Sequence, residues 1–449
     1  MMSLLRSIDQ NTTAEAPSRG ARDRLSGIDG LRALAIVAIL AGEIVRLAPA
    51  LVARNAAAGA AAFDASQGFT LFLIVSGYTL AYPALVARSQ NGHASFDVGG
   101  FIVKRLLRIF PTYLFALALA LVIPPLAAHY GLAVLATGSQ RYAAEAFWRN
   151  AVFAGDGLGN DGFRALGIIA RCYAVFPFLL VLWARARGLF PVMLALVVVL
   201  DLTTGLHGLG IGALLPFALG IVAAEVRAQA LPAYRFGLPL ALIAGAAALR
   251  YGEGIASIAD AHAAGALRVD PLWAIALFGV VVAVGALDPL GRILSLPPLG
   301  LAGAASFAIS LVVVPVSSFA IRQLAAPFGI VDAAVNGLVG SLLIGLGLYQ
   351  LVDRAFSGGP LRHDIAEKLG PRLNALLARV HAQRVLLGTS PVADAGAASA
   401  HPPTDVTVYT PAPRPDISSL AIVSTRTGSA EELAAEIQAT RRRLTAVGP

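Results

Sequence analysis

An all-α integral membrane fold, with about ten transmembrane helices, both termini cytoplasmic and a partly disordered C-terminal tail, is predicted by three observations. Hydrophobic residues make up 57% of the 449-residue chain, charged residues only 13%, and the mean hydropathy is +0.73. A soluble domain carries about 25% charged residues. Apolar runs of about 20 residues, the length that crosses a hydrocarbon core, recur from residue 31 to residue 353. Lys and Arg favour alternate connections between those runs. The 45 glycines fit a membrane interior in which small residues let helix backbones approach. The net charge of +8 lies mostly in loops and tails, where it suits anionic lipid headgroups better than nucleic acid. A single cysteine, Cys172, rules out an intrachain disulfide and a Cys-based metal site.

Residues 1–26 are polar and read as a cytoplasmic tail, and the apolar run that follows is too long for the core of a cleavable signal peptide. Spans are expected at 31–52, 68–87, 106–128, 165–184, 189–206, 209–226, 236–250, 271–287, 298–318 and 333–353. The seventh is short and reads as tilted or re-entrant. Arg6, Arg19, Arg22 and Arg24 precede the first span, and Arg88, Lys104 and Arg105 follow the second. Arg185, Arg187, Arg227, Arg235 and Arg292 mark later connections on the same side, which is therefore cytoplasmic. Three external segments remain: the Ala-rich 53–67; 129–164, with Tyr142, Glu145, Trp148, Arg149 and the turn GDGLGNDG; and 251–270. In the last, Glu253 and Asp260 either help form an acceptor site or are solvated connection.

Past Phe356 the composition changes. Over 357–387, Leu361, Ile365, Leu369, Leu373 and Leu376 recur at helical spacing, predicting an interfacial amphipathic segment that Gly370-Pro371 breaks in two. Residues 388–428, rich in Ala, Pro, Ser and Thr, read as disordered. Within 429–449, Ser429 and Glu432 make a capping box that opens a short charged helix ending at Arg441-Arg442-Arg443.

An ionisable side chain at membrane depth is expensive unless paired or wetted, so the first span carries the main functional candidates. Arg32, Glu43 and Arg46 fall on one stripe of that helix, with Arg32 and Glu43 about three turns or roughly 16 Å apart. Glu43 reads as a general base tuned by burial and arginine, or as an ion pair with Arg46. Arg105 and Arg108, in FIVKRLLRIFPTY, either hold the phosphates of an anionic cosubstrate or simply anchor the cytoplasmic side. Asp29 reads as a cap of the first helix, and Ser76-Gly77 and the Ser306/Ser310 pair as helix contacts before nucleophiles. No histidine lies inside an apolar span and no pair has metal-ligand spacing, so no metal site is expected.

Four blocks, GIDGLRALAIVAIL (27–40), GFTLFLIVSGYTL (68–80), FIVKRLLRIFPTY (101–113) and LYQLVDRAF (348–356), occur in the order seen in the acyltransferase 3 family. Fainter matches are LLPFALGIV (214–222) and GAASFAISLVVVPV (303–316). The chain resembles these integral-membrane O-acyltransferases over a membrane domain at 27–356. The resemblance implies a multi-pass enzyme of the bacterial cytoplasmic (inner) membrane. Its cosubstrate would be a cytoplasmic acyl-CoA, commonly acetyl-CoA, and its acceptor a hydroxyl on a carbohydrate or other envelope glycan. By the same resemblance Arg32 and Glu43 are the catalytic candidates and Arg105 and Arg108 the donor-binding pair. No permanently bound cofactor and no nucleic-acid partner is implied.

Four positions depart from the family pattern. Glu43 stands for a histidine, and Val313 for a second histidine. In RALGIIARCYAVFP (164–177), Arg164 stands for a tryptophan and Ile169 or Ala170 for an acid, while Tyr173 and Pro177 are kept. The alternatives are thus a divergent acyltransferase using Glu43, or a catalytically inactive relative that binds or exports a glycan or lipid-linked intermediate. A third is a membrane scaffold whose basic tail recruits partners.

Overall fold

The computed structural model describes residues 19–47, 65–91, 94–129, 144–153, 161–203, 210–229, 236–260, 269–284, 288–357, 360–378 and 384–387. They are almost wholly helical, because in a bilayer a helix satisfies its own backbone donors and acceptors. The helices are α1 (Arg19–Leu47), α2 (Ala65–Asn91), α3 (Val98–His129), α4 (Ala144–Ala151), α5 (Asp161–Arg185), α6 (Leu189–Thr203) and α7 (Leu214–Ala228). There follow α8 (Gly237–Asp260), α9 (Pro271–Val284), α10 (Asp288–Leu294), α11 (Pro297–Phe328) and α12 (Ile330–Leu348). A π-turn at Tyr349–Asp353 leads through α13 (Arg354–Ser357) to α14 (Pro360–Ala378). Strands β1 (Ala94–Asp97) and β2 (Arg384–Leu387) pair antiparallel, Ala94 opposite Leu387 and Asp97 opposite Arg384.

Among the described residues, five helical segments are long and apolar enough to cross a membrane: Ser66–Gln90, Gly162–Arg185, Ile211–Ala228, Pro297–Phe328 and Ile330–Asp353. Leu189–Thr203, Gly237–Tyr251 and Pro271–Val284 are shorter apolar helices. Large aliphatic side chains such as Val192, Leu196, Ile243, Leu249, Leu343 and Ile344 are exposed, as a lipid-facing surface requires.

The packing is set by backbone approach. Helix α2 lies between α1 and α7, and α11 between α1 and α12. A Cβ at Gly77 would overlap the Phe217 carbonyl oxygen, and one at Gly220 the Ile74 carbonyl, so α2 and α7 meet backbone to backbone. Asp29 on α1 abuts Gly303 on α11 in the same way. The largest apolar cluster, around Leu73, Ile74, Phe176, Phe217 and Ile221, joins α2, α5 and α7. A second, around Tyr113, Leu117, Phe163 and Leu311, joins α3, α5 and α11. Between α3 and α5, the Tyr113 hydroxyl donates to the Asn150 carbonyl at 2.7 Å and its ring stacks on Phe153. That pins the end of α4, where Phe153 takes the left-handed φ of 60°.

Several expectations need correction. Helix α1 begins at Arg19, inside the segment read as tail. Trp148 and Arg149 belong to helix α4 rather than to an open loop. The short seventh span is the first part of a 24-residue helix that runs on through Glu253 to Asp260, so those acids are helical rather than looped. Helix α14 is continuous through Gly370-Pro371. An internal proline costs a helix about 3 kcal/mol. Docking of the adjoining turn against the start of α3, with Gly370 facing Gly100, offsets that cost. The expectations for 1–18, the Ala-rich stretch before α2, most of GDGLGNDG, His262 and the tail from 388 onward lie outside the described residues.

Replacing Gly220 by Leu forces α2 and α7 apart. The expected result is a loss of about 3 kcal/mol or more, read as a lowered unfolding temperature in detergent, with Gly220→Ala intermediate.

Candidate functional site

Two arginines, from two helices, approach one tyrosine, and a third lies within electrostatic reach of the first. Arg32, on α1, donates to Asp29 Oδ1 at 3.1 Å and to Thr79 Oγ1 on α2 at 2.7 Å. The Thr79 hydroxyl donates in turn to the Val75 carbonyl at 3.0 Å, which leaves its lone pairs for the guanidinium. Arg32 lies within electrostatic reach of Arg108 on α3 and of Tyr173 on α5. The Arg105 guanidinium sits 5.6 Å from the Phe101 ring centroid and 5.7 Å from that of Tyr173. The i, i+3 spacing of Arg105 and Arg108 puts both on one face of α3, and the α1–α2 crossing turns Arg32 toward them.

The planar fork of arginine matches phosphate or carboxylate oxygens in pairs, so a cluster of guanidiniums can hold an anion. Asp29 is drawn into this cluster as an ion-pair partner of Arg32. Tyr173, one of the two positions kept in the fifth-helix block, is at its centre.

Glu43 is not part of this cluster. It lies three turns further along α1, buried at 3% exposure. Ile36 and Leu40 of α1 pack with Ala305, Ile309 and Val313 of α11. One turn on, α1 presents Glu43 and α11 presents Ser317. Ser317 is fully buried and shares a 3.2 Å hydrogen bond with Ser341 of α12. Glu43 is buried about one turn beyond Leu40 on α1. The Arg46 side chain, its expected partner, lies outside the described residues.

The departures from the family pattern are packed into apolar cores. Ile169 belongs to the cluster of α2, α5 and α7, and Val313 to that of α1, α11 and α12. Ser76 is buried beside Gly77, and the Ser310 hydroxyl donates to its own helix at Phe307. Asp270 accepts from the backbone N–H groups of Leu272 and Trp273 at 2.7 and 3.3 Å, so it caps α9. Burial pushes its carboxyl above the ordinary value, and those two bonds pull against the rise. Among the described residues no group of three His, Cys, Asp or Glu side chains is placed to hold a metal ion.

Sequence reasoning missed a second polar cluster. Glu225, buried on α7, accepts from Arg187 and Gln229, with the buried Arg88 of α2 in electrostatic reach. Arg187 also lies over the Trp183 ring. Its signal was an acid within the last turn of an apolar run, flanked by arginines read only as topology markers. Asp353, buried in the π-turn of the block LYQLVDRAF, was passed over in the same way.

Replacing Arg187 by Met deprives the buried Glu225 carboxylate of its hydrogen-bonded cation, leaving Arg88 in electrostatic reach. The expected loss is about 3 kcal/mol, measured as thermal stability in detergent, with Arg187→Lys recovering part of it.

Among known proteins, a family model described as an acyltransferase domain, that of the acyltransferase 3 family, matches residues 25–350. No curated protein and no solved structure matches the chain.

Proposed function

The chain belongs to the acyltransferase 3 family, and from that membership we propose that it moves an acyl group, commonly acetyl, from a cytoplasmic acyl-CoA to a hydroxyl of a carbohydrate or other cell-envelope molecule. The observation that supports the donor assignment is the grouping of Arg32 and Arg105 at Tyr173, with Arg108 in electrostatic reach of Arg32. Acyl-CoA supplies the phosphates that such a cluster is built to hold. In this reading about ten helices cross the bacterial inner membrane with both termini cytoplasmic, and the arginines lie toward the cytoplasmic end of α1 and α3.

The chemistry follows from the two polar regions of α1. Arg105 and Arg108 bind the donor phosphates, and Arg32, held by Asp29 and Thr79, orients the donor between α1 and α3. The extended pantetheine arm then carries the thioester along α1 toward Glu43. The Glu43 carboxylate takes the proton of the acceptor hydroxyl, whose oxygen attacks the thioester carbonyl. The C–S bond breaks and CoA leaves as the thiolate. The Glu43 side chain is buried.

A second reading rests on a specific observation. Ile169 and Val313, which stand where the family carries ionisable groups, are filled into apolar cores. That favours a relative that binds or exports a glycan or lipid-linked intermediate without transferring acyl groups.

Labelled acetyl-CoA and envelope glycans, given to the purified protein, separate the two. Acyl transfer is expected, with Glu43→Gln lowering its rate by about 10²–10⁴-fold while donor binding stays intact. An absence of transfer together with intact glycan binding would favour the second reading. Arg105→Ala and Arg108→Ala are each expected to weaken acyl-CoA binding by about tenfold or more, measured by direct titration.

A further inference from the structure

The segment after the membrane domain is anchored to the connection that starts α3. Asn374 of α14 accepts a hydrogen bond from the Gly99 N–H at 3.0 Å and donates through Nδ2 to Asp97 Oδ1 at 2.7 Å. The same Asp97 oxygen accepts the Gly100 N–H at 3.0 Å and so caps α3. Gly370 packs against Gly100, and β2 pairs with β1 over Asp97 to Ala94. The chain near residue 97 is thereby gripped by two elements more than 250 positions away in sequence.

That grip continues to the arginines through aromatic contacts. Phe96 of β1 lies 5.3 Å from Phe101 of α3 and 5.6 Å from Phe176 of α5, and Phe101 lies 5.2 Å from Phe176. The Arg105 guanidinium rests over Phe101, one turn further along α3, and over Tyr173, one turn back along α5. The aromatic trio therefore sits between the β1–β2 pair and the arginine cluster. Each contact fixes the ring on which the next one depends.

We propose that residues 360–378 and 384–387 form a positioning strap for the donor site: Asn374, together with Phe96 of the paired strand β1, sets the start of α3 and, through Phe101, the place of Arg105. The proposal rests on the reading of Arg105 as a donor-binding residue, and it assigns these residues a task that neither the family match nor the apolar spans require. Arginine binds phosphate well only when its fork is held in place beforehand, because long side chains lose rotamer freedom on binding. A strap that immobilises the ring beneath Arg105 lowers that loss.

The test uses the full-length protein with Cys172 replaced by Ala and Arg105 replaced by Cys, so that a methanethiosulfonate reagent reports the environment of position 105. Adding Asn374→Ala or Phe96→Ala is expected to raise the labelling rate at least severalfold, while Phe96→Tyr, which keeps the ring, leaves it near the parent value. Equal labelling in all of these variants would overturn the strap. In the protein that keeps Arg105, Asn374→Ala is expected to raise the donor KM about tenfold with kcat and acceptor KM within twofold. Parallel losses in kcat and both KM values with a lowered unfolding temperature would instead show a merely structural contact and overturn the positioning role. If the native protein binds no acyl-CoA, the donor reading fails, and the labelling rates still decide whether the strap positions residue 105.

Discussion

The structure depends on α1 being packed backbone to backbone on two sides. Its Asp29 carbonyl fits against Gly303 of α11, and its Ala35 carbonyl against Gly68 of α2. Lipid tails offer helices no hydrophobic reason to associate, so close van der Waals approach and interhelical hydrogen bonds must hold them. With α1 fixed at both flanks, Arg32 is delivered to Thr79 on α2, and Ile36 and Leu40 to the seam with α11. One helix therefore carries both Arg32 and the buried Glu43 carboxylate, about three turns apart.

Charge obeys the same constraint elsewhere. Glu225 meets Arg187 where α7 reaches the end of α5, and Arg32 meets Asp29 within one turn. In both places the ionised groups lie between helices rather than toward lipid, where an unpaired charge is most costly. Arg105 and Arg108 share one face of α3, with Arg108 in electrostatic reach of Arg32. The functional reading rests on them, whereas Arg187, bonded to a buried carboxylate, carries a stability argument.

Much of the site was legible in the sequence. Arg32, Arg105 and Arg108 stood out because each is a charge beside or within an apolar run, and the four ordered blocks pointed to the family that the match over residues 25–350 establishes. Glu43 stood out for the same reason, and its burial agrees with the depth read from the run. What stayed hidden were the partners. Thr79, Asn374 and Glu225 carry no local signal that marks them as partners of distant residues. Nothing in local periodicity distinguishes a polar residue that meets solvent from one that meets another helix. The extent of α8 and the continuity of α14 were misread on local grounds, since propensity alone would end the first early and break the second at Pro371.

By itself the sequence determined that this chain is helical, apolar and of the acyltransferase 3 family, because span length and composition answer to the bilayer one segment at a time. It also determined which side chains are too costly to be incidental. Only the tertiary structure decided that Arg105 rests on Phe101 and Tyr173, that Arg32 is held by Thr79, and that the segment after the last membrane helix grips the start of α3. Those contacts join residues far apart in the chain. They exist because glycines bring particular helix faces together, and a face-to-face register is a property of the packed bundle rather than of any one of its helices.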